Sequence, residues 1–173
     1  EIFYQELKSL GIRKKIIAVT GTNGKSTFVS VLNEILQKSG LKSSIAGNIG
    51  IPVLSINVDE FDIIILEVSS FQLELIDEFT ADISVLLNVY EDHNERYESY
   101  EEYQKTKTKI FSNQRNTDYA IFNDFYLSEK ILKEINPSPN HVLFKDNEFN
   151  DLSNNISQNG IIKKFLPALI KVT

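Results

Sequence analysis

The stretch IIAVTGTNGKST, from Ile16 to Thr27, leaves the chain few ways to fold. Ile16 to Val19 is a short apolar run rich in β-branched residues, bounded by Lys14 and Lys15 before it and Gly21 after it. That is the composition of a parallel strand buried on both faces. From Lys25 the period becomes helical. Phe28, Val31, Leu32, Ile35 and Leu36 fall on one face, and Ser39-Gly40 supplies a stop. Strand, glycine-bearing turn and helix in that order make a phosphate loop, in which successive N–H groups face an anion seated on the helix N-terminus. Lys25 would reach the β- and γ-phosphates of a nucleotide, and Ser26 would offer its hydroxyl to Mg2+. The common G-x-x-x-x-G-K pattern would put its first glycine at position 19, which is Val19 inside the strand, so this loop is a shortened, P-loop-like variant.

The rest of the chain repeats the alternation of strand and helix. Ile2, Phe3, Leu7 and Leu10 have the spacing of a short lead-in helix. Strands are expected at Lys42 to Ala46, Asp62 to Leu66, Ile83 to Leu87, Tyr119 to Phe122 and His141 to Phe144. Helices are expected from about Phe71, over Ser99 to Phe111 and over Phe125 to Ile135. This predicts an α/β fold, a parallel sheet flanked by helices with right-handed crossovers. Asp146 to Gly160 is rich in Asn, Asp and Ser and reads as loop, and Ile161 to Thr173 could add an edge strand or hairpin.

In such sheets ligands bind at the carboxyl ends of the strands. Four features are delivered to that edge: Lys25 with Ser26, the Gly47 to Pro52 loop, Glu67, and the polar stretch Glu91 to Arg96 with His93 in it. Ser26 and Glu67 could give a magnesium nucleotide one hydroxyl and one carboxylate, with phosphate oxygens and water completing the shell. His93, taken alone, reads as a solvated residue in a charged loop.

At 173 residues the chain is long enough for one well-buried core and too short for two large ones. A net charge of -6 and a pI near 5.0, with no basic run, argue against a nucleic-acid partner. No apolar run approaches the ~20 residues of a membrane span. The absence of cysteine excludes disulfides and thiolate metal sites and fits a reducing cytoplasm. Methionine is absent even at position 1, so the chain is expected to be a piece of something longer.

Four segments together resemble one family, the ATP-dependent Mur ligases of peptidoglycan synthesis. They are GTNGKST at Gly21 to Thr27, GNIG-x-P at Gly47 to Pro52, EVSSFQLE at Glu67 to Glu74 and NVYEDHNER at Asn88 to Arg96. The SSFQLE element is similar to that of the branch that adds D-glutamate to UDP-N-acetylmuramoyl-L-alanine. The resemblance implies that residues 1–173 correspond to the central ATP-binding domain, without the N-terminal UDP-binding domain and the C-terminal domain. The His-Asn-x-x-Asn element that follows in the family is not found, so even this domain looks truncated near its end.

The resemblance also implies roles. Thr22, Asn23, Gly24, Lys25, Ser26 and Thr27 would hold the ATP phosphates. Ser26 and Glu67 would bind a first Mg2+ and His93 a second. Asn48, Ser69 and Gln72 match positions that contact the muramoyl substrate, and Asn88 and Asp92 would shape the same pocket. The substrate carboxylate would take the γ-phosphate as an acyl phosphate, which the amine of D-glutamate attacks. A monomer without membrane or nucleic-acid partners is expected, and the isolated fragment is expected to bind nucleotide without full activity. A sister Mur ligase or folylpolyglutamate synthase would share most of these features. A P-loop kinase or NTPase would share Lys25 and Ser26 but leaves SSFQLE and His93 without a role.

One further residue comes from helical geometry. At ~100° per residue, Tyr100, Tyr103, Ile110 and Phe111 form an apolar stripe with Lys107 in its middle, and Lys105 and Lys109 point the other way. The ordinary reading is a lysine whose stem packs inside while its amine reaches water. The family resemblance implies instead a lysine near this point that reacts with carbon dioxide, giving a carbamate beside the second Mg2+.

Overall fold

The apolar run at Ile16 to Val19 becomes the centre of the sheet. The structure, a computed structural model, describes residues 1–92 and 95–144. Strand β1 (Lys15–Thr20) is flanked by β3 (Ile63–Glu67) and β4 (Ile83–Leu86), with β2 (Ser43–Gly47), β5 (Tyr119–Phe122) and β6 (Asn140–Leu143) completing a six-stranded sheet in the order β2-β3-β1-β4-β5-β6. Every pairing is parallel. The chain winds outward to one side of β1 through β2 and to the other through β4 and β5, so the direction of winding changes at β1, where open α/β sheets form their ligand crevice.

Alternation along the strands sorts the core into two layers. Ile17 and Val19 of β1 join Ile63, Ile65, Ile83, Val85 and Ile121 on the face covered by helix α2 (Lys25–Lys38). Ile16 and Ala18 join Ile64, Leu66, Leu86, Ala120 and Phe122 on the other, beneath α1 (Ile2–Ser9), α3 (Ser70–Glu74), α4 (Tyr100–Thr108) and α5 (Glu129–Glu134). Fully burying one such Ile or Leu side chain stabilises the fold by about 1.5–3 kcal/mol.

Details differ from the sequence expectation for local reasons. The residues of α2 that the sheet buries are Val29, Leu32 and Leu36, and Phe28, Val31 and Ile35 are only half-buried, because the sheet covers one edge of a wide apolar arc. The helix expected over 125–135 is broken. Asn123 Oδ1 accepts from Phe125 N at 3.0 Å and starts a 3-10 turn at Asp124–Tyr126. Leu127 is then extended, and the Ser128 hydroxyl caps α5 by accepting from Ile131 N at 3.3 Å. Beyond Thr108 the last turn of α4 tightens to a 3-10 turn over Lys109–Phe111. The segments expected over 146–173 lie outside the described residues, as does His93.

The register is what builds a site. Val19 pairs with both Glu67 and Val85, and Gly47 pairs with Glu67. The loops leaving β1, β2, β3 and β4 therefore emerge at one level along the edge.

Candidate functional site

Thr20 ends β1, and the chain turns through Gly21 to Gly24 into α2. Gly24 is the N-cap, with φ 78°, a left-handed conformation that an L side chain rarely adopts, and no side chain caps the helix. Phe28 N is the first amide bonded back within the helix, to Gly24 O at 2.9 Å. The N–H groups of Lys25, Ser26 and Thr27 thus remain for an anion, at the positive end of a 14-residue helix. Ser26 and Thr27 are exposed there, and Lys25 is half-buried.

The loop is braced from β4. Thr22 N donates to Asn88 O at 3.1 Å. The Asn88 side chain accepts from Asn23 N at 3.0 Å and donates to Asn23 O at 3.1 Å. Tyr90 N donates to Thr22 Oγ1 at 3.0 Å, and Tyr103 of α4 brings its hydroxyl to 3.3 Å from the same oxygen. Asn88, expected to shape a substrate pocket, therefore has its side chain on the phosphate loop. Asp92 is exposed at the end of the same connection.

The amines converge on the loop's own carbonyls. Lys25 Nζ donates to Gly21 O at 2.8 Å and to Thr22 O at 3.0 Å, and Lys107 Nζ donates to Gly21 O at 3.1 Å. Lys107 is only 2% exposed and its Nζ lies 4.7 Å from the centre of the Tyr103 ring. Burial, and after it the nearby Lys25 charge, together lower its pKa to about 7 against the opposing charge of Asp92. The inward facing follows the helical period. Lys105 instead pairs with Glu134 at 2.9 Å, and Lys109 donates to Glu74 O at 3.3 Å. Tyr100 departs from the expected stripe: it is 37% exposed, with its hydroxyl donating to Val89 O at 2.6 Å.

Glu67 closes the other side. It is 1% exposed; its Oε1 accepts from Asn48 Nδ2 at 2.9 Å, and its Oε2 is buried without a hydrogen-bond partner among the described residues. An ionised oxygen left so in a dry site is costly unless a cation or donor meets it. That fits a divalent ion held by Glu67 and the Ser26 hydroxyl, with phosphate and water oxygens for the remaining ligands. Among the described residues no three His, Cys, Asp or Glu side chains gather into a metal cluster. Asn48, expected at the substrate, orients Glu67 and also donates its N–H to Glu67 O at 3.0 Å. Gly47 makes this approach possible: with φ 104°, any Cβ there would lie 2.5 Å from Glu67 O.

Ser69 and Gln72 engage each other in a capping box at the start of α3. Ser69 Oγ accepts from Gln72 N at 3.3 Å, and Gln72 Oε1 accepts from Ser69 N at 2.9 Å and from Ser69 Oγ at 3.1 Å. Sequence reasoning missed Tyr103, Tyr90 and the Gly21 carbonyl. Tyr103 carried a signal, standing one turn before Lys107 on the same helical face. A backbone carbonyl carries none.

Residues 19–165 match the Mur ligase middle domain. A UDP-N-acetylmuramoylalanine–D-glutamate ligase of Desulfatibacillum aliphaticivorans is 42% identical over 120 residues, which is 68% of this chain and 27% of that protein. The ligase of the same name from Fusobacterium nucleatum is 44% identical over 138 residues, 78% of this chain and 32% of that one. The chain thus spans about a quarter to a third of the length of these curated relatives. Among solved structures, MurF ligase from Thermotoga maritima in complex with ADP superimposes with a TM-score of 0.66 at 23% identity, covering 83% of this chain and 35% of that one.

Proposed function

The chain belongs to the Mur ligase middle-domain family, and on that premise we propose that it is the central ATP-binding part of a ligase that joins D-glutamate to UDP-N-acetylmuramoyl-L-alanine. The observation that carries the reading is the juxtaposition at the ends of β1 and β3: an uncapped helix N-terminus, Lys25 and Lys107 on one carbonyl, and a buried carboxylate oxygen without a partner. The named relatives, at 42% and 44% identity, support the choice of branch.

In this reading the N–H groups of Lys25, Ser26 and Thr27 receive the β- and γ-phosphates of ATP, with Thr22, Asn23 and Gly24 shaping the loop. Lys25 leaves the Gly21 and Thr22 carbonyls and follows the γ-phosphoryl group as negative charge develops on it. The substrate carboxylate attacks that phosphorus, ADP leaves, and the amine of D-glutamate displaces phosphate from the resulting acyl phosphate to form the amide. Mg2+, when bound, neutralises phosphate charge; Ser26 and Glu67 would hold one ion, and His93 with carbamylated Lys107 a second. A lysine whose pKa is about 7 is substantially neutral at physiological pH, and the neutral amine nitrogen can add to the carbon of CO2 and lose a proton. Asn48 keeps Glu67 in place. The NH2 group of Gln72 makes no hydrogen bond among the described residues and is free for the muramoyl substrate, Ser69 and Asp92 line the approach, and Asn88 serves the pocket by bracing the phosphate loop at Asn23.

The test is ADP release by the intact protein with UDP-N-acetylmuramoyl-L-alanine and ATP. Release that requires D-glutamate, and fails with L-glutamate, is expected. ADP release with a folate substrate, or independent of any amino acid, would sink the assignment.

A further inference from the structure

Helix α3 has five residues, too few to persist unaided, and side chains hold both its ends. The capping box secures the start. At the other end Glu74 accepts from Arg96 Nε at 3.0 Å and Arg96 Nη2 at 2.5 Å, and from the Tyr97 hydroxyl at 2.6 Å. The Arg96 guanidinium also lies 4.8 Å from the centre of the Phe71 ring, one turn earlier on α3. Exposed ion pairs contribute little as a rule. This one is bidentate, is shared with a tyrosine hydroxyl, and has a carboxylate only 25% exposed.

The contacts continue inward. The Tyr97 ring packs against Tyr103 with centroids 5.0 Å apart, and Tyr103 reaches both Thr22 of the phosphate loop and the Lys107 amine. A continuous line of packed and hydrogen-bonded side chains therefore joins the Glu74 end of α3, a helix whose start holds Ser69 and Gln72, to the loop that faces the phosphates.

We propose that Glu74 is a positioning residue of the ligase: through Arg96 and Tyr97 it fixes α3 against the phosphate loop, so that the muramoyl-facing and nucleotide-facing parts of the site keep one geometry. Glu74 touches neither substrate in this account and acts through Tyr97 and Tyr103. The proposal rests on the ligase reading above.

The test uses the full-length protein with Glu74→Ala, Glu74→Gln, Arg96→Ala and the Glu74→Ala/Arg96→Ala double variant, measuring KM for the muramoyl substrate and for ATP, kcat and melting temperature. Each single alanine variant is expected to raise both KM values on the order of 10-fold, and the double variant to be no worse than the poorer single one, as for a pair acting as one unit. Glu74→Gln, which still accepts from Tyr97, should recover part of the loss. A purely structural Glu74 would lower the melting temperature and the active fraction while both KM values stay at wild type, and that result, or losses that multiply in the double variant, overturns the proposal. A wild-type protein inactive with UDP-N-acetylmuramoyl-L-alanine and D-glutamate would instead refute the ligase reading. The coupling is then read by calorimetric titration with magnesium ATP, where weakened binding in Glu74→Ala supports it and unchanged affinity overturns it.

Discussion

Lys25 and Lys107 donate to the same acceptor, the carbonyl oxygen of Gly21, at 2.8 and 3.1 Å. Two amines on one carbonyl repel each other, and the Lys25 charge is one reason the Lys107 pKa falls to about 7. An arriving phosphate would draw Lys25 away and relieve the crowding.

Replacing Lys25 by Ala should thus have two effects in the full-length protein. Turnover should fall by at least about 100-fold, as for loss of a charge-stabilising donor. The Lys107 pKa should rise, because its positive neighbour is gone, so less neutral amine is present at pH 7. A 13C-bicarbonate NMR titration should then need a higher pH to develop a carbamate signal than in the wild type.

The same NMR signal distinguishes the three lysines of α4 and its 3-10 extension. Lys107→Ala should abolish it, and Lys105→Ala and Lys109→Ala should leave it, since those amines are engaged with Glu134 and the Glu74 carbonyl. A signal that survives in Lys107→Ala would show that another lysine is modified.

Glu67→Gln keeps the shape of a buried side chain and removes its charge. The nucleotide-free protein is expected to melt no lower than wild type, because an unpartnered carboxylate oxygen is lost with the charge. Turnover should nevertheless fall by about 100-fold or more, with the magnesium dependence flattened. A wild-type magnesium titration in this variant would remove Glu67 from the metal site.

Glu74 gives an acid-stability prediction. Its Arg96 and Tyr97 hydrogen bonds hold its pKa at about 2, below the ordinary 4.5, so its contribution is fully present above about pH 4.5 and fades as pH falls toward 2. Urea midpoints of wild type and Glu74→Gln should therefore differ at pH 6 and converge near pH 2. A gap that stays constant with pH would contradict the pairing.

Gly47→Ala combines a left-handed backbone with a Cβ placed 2.5 Å from the Glu67 carbonyl. A loss of about 1–3 kcal/mol in denaturant unfolding is expected. A neutral result would mean that the β2 loop does not hold this conformation in solution.

Sequence alone determined the elements whose cause is local. The β-branched run at Ile16 to Val19 had the composition of a buried strand, Gly24 before Lys25 marked the helix entry, and the 3.6-residue period turned Lys107, unlike Lys105, toward the core. Helix α2 shows where that reasoning thins: its apolar arc was legible, but which edge the sheet covers, at Val29, was not. The tertiary structure decided the partners. Asn48 and Asn88 read as substrate contacts in the sequence, yet one side chain is spent on Glu67 and the other on Asn23, because strand register sets β2 beside β3 and β4 beside β1. The Gly21 carbonyl that gathers Lys25 also meets Lys107, a residue 86 positions from Gly21. Periodicity describes which way a side chain leaves its own element, and only the packing of elements against one another determines what it meets there.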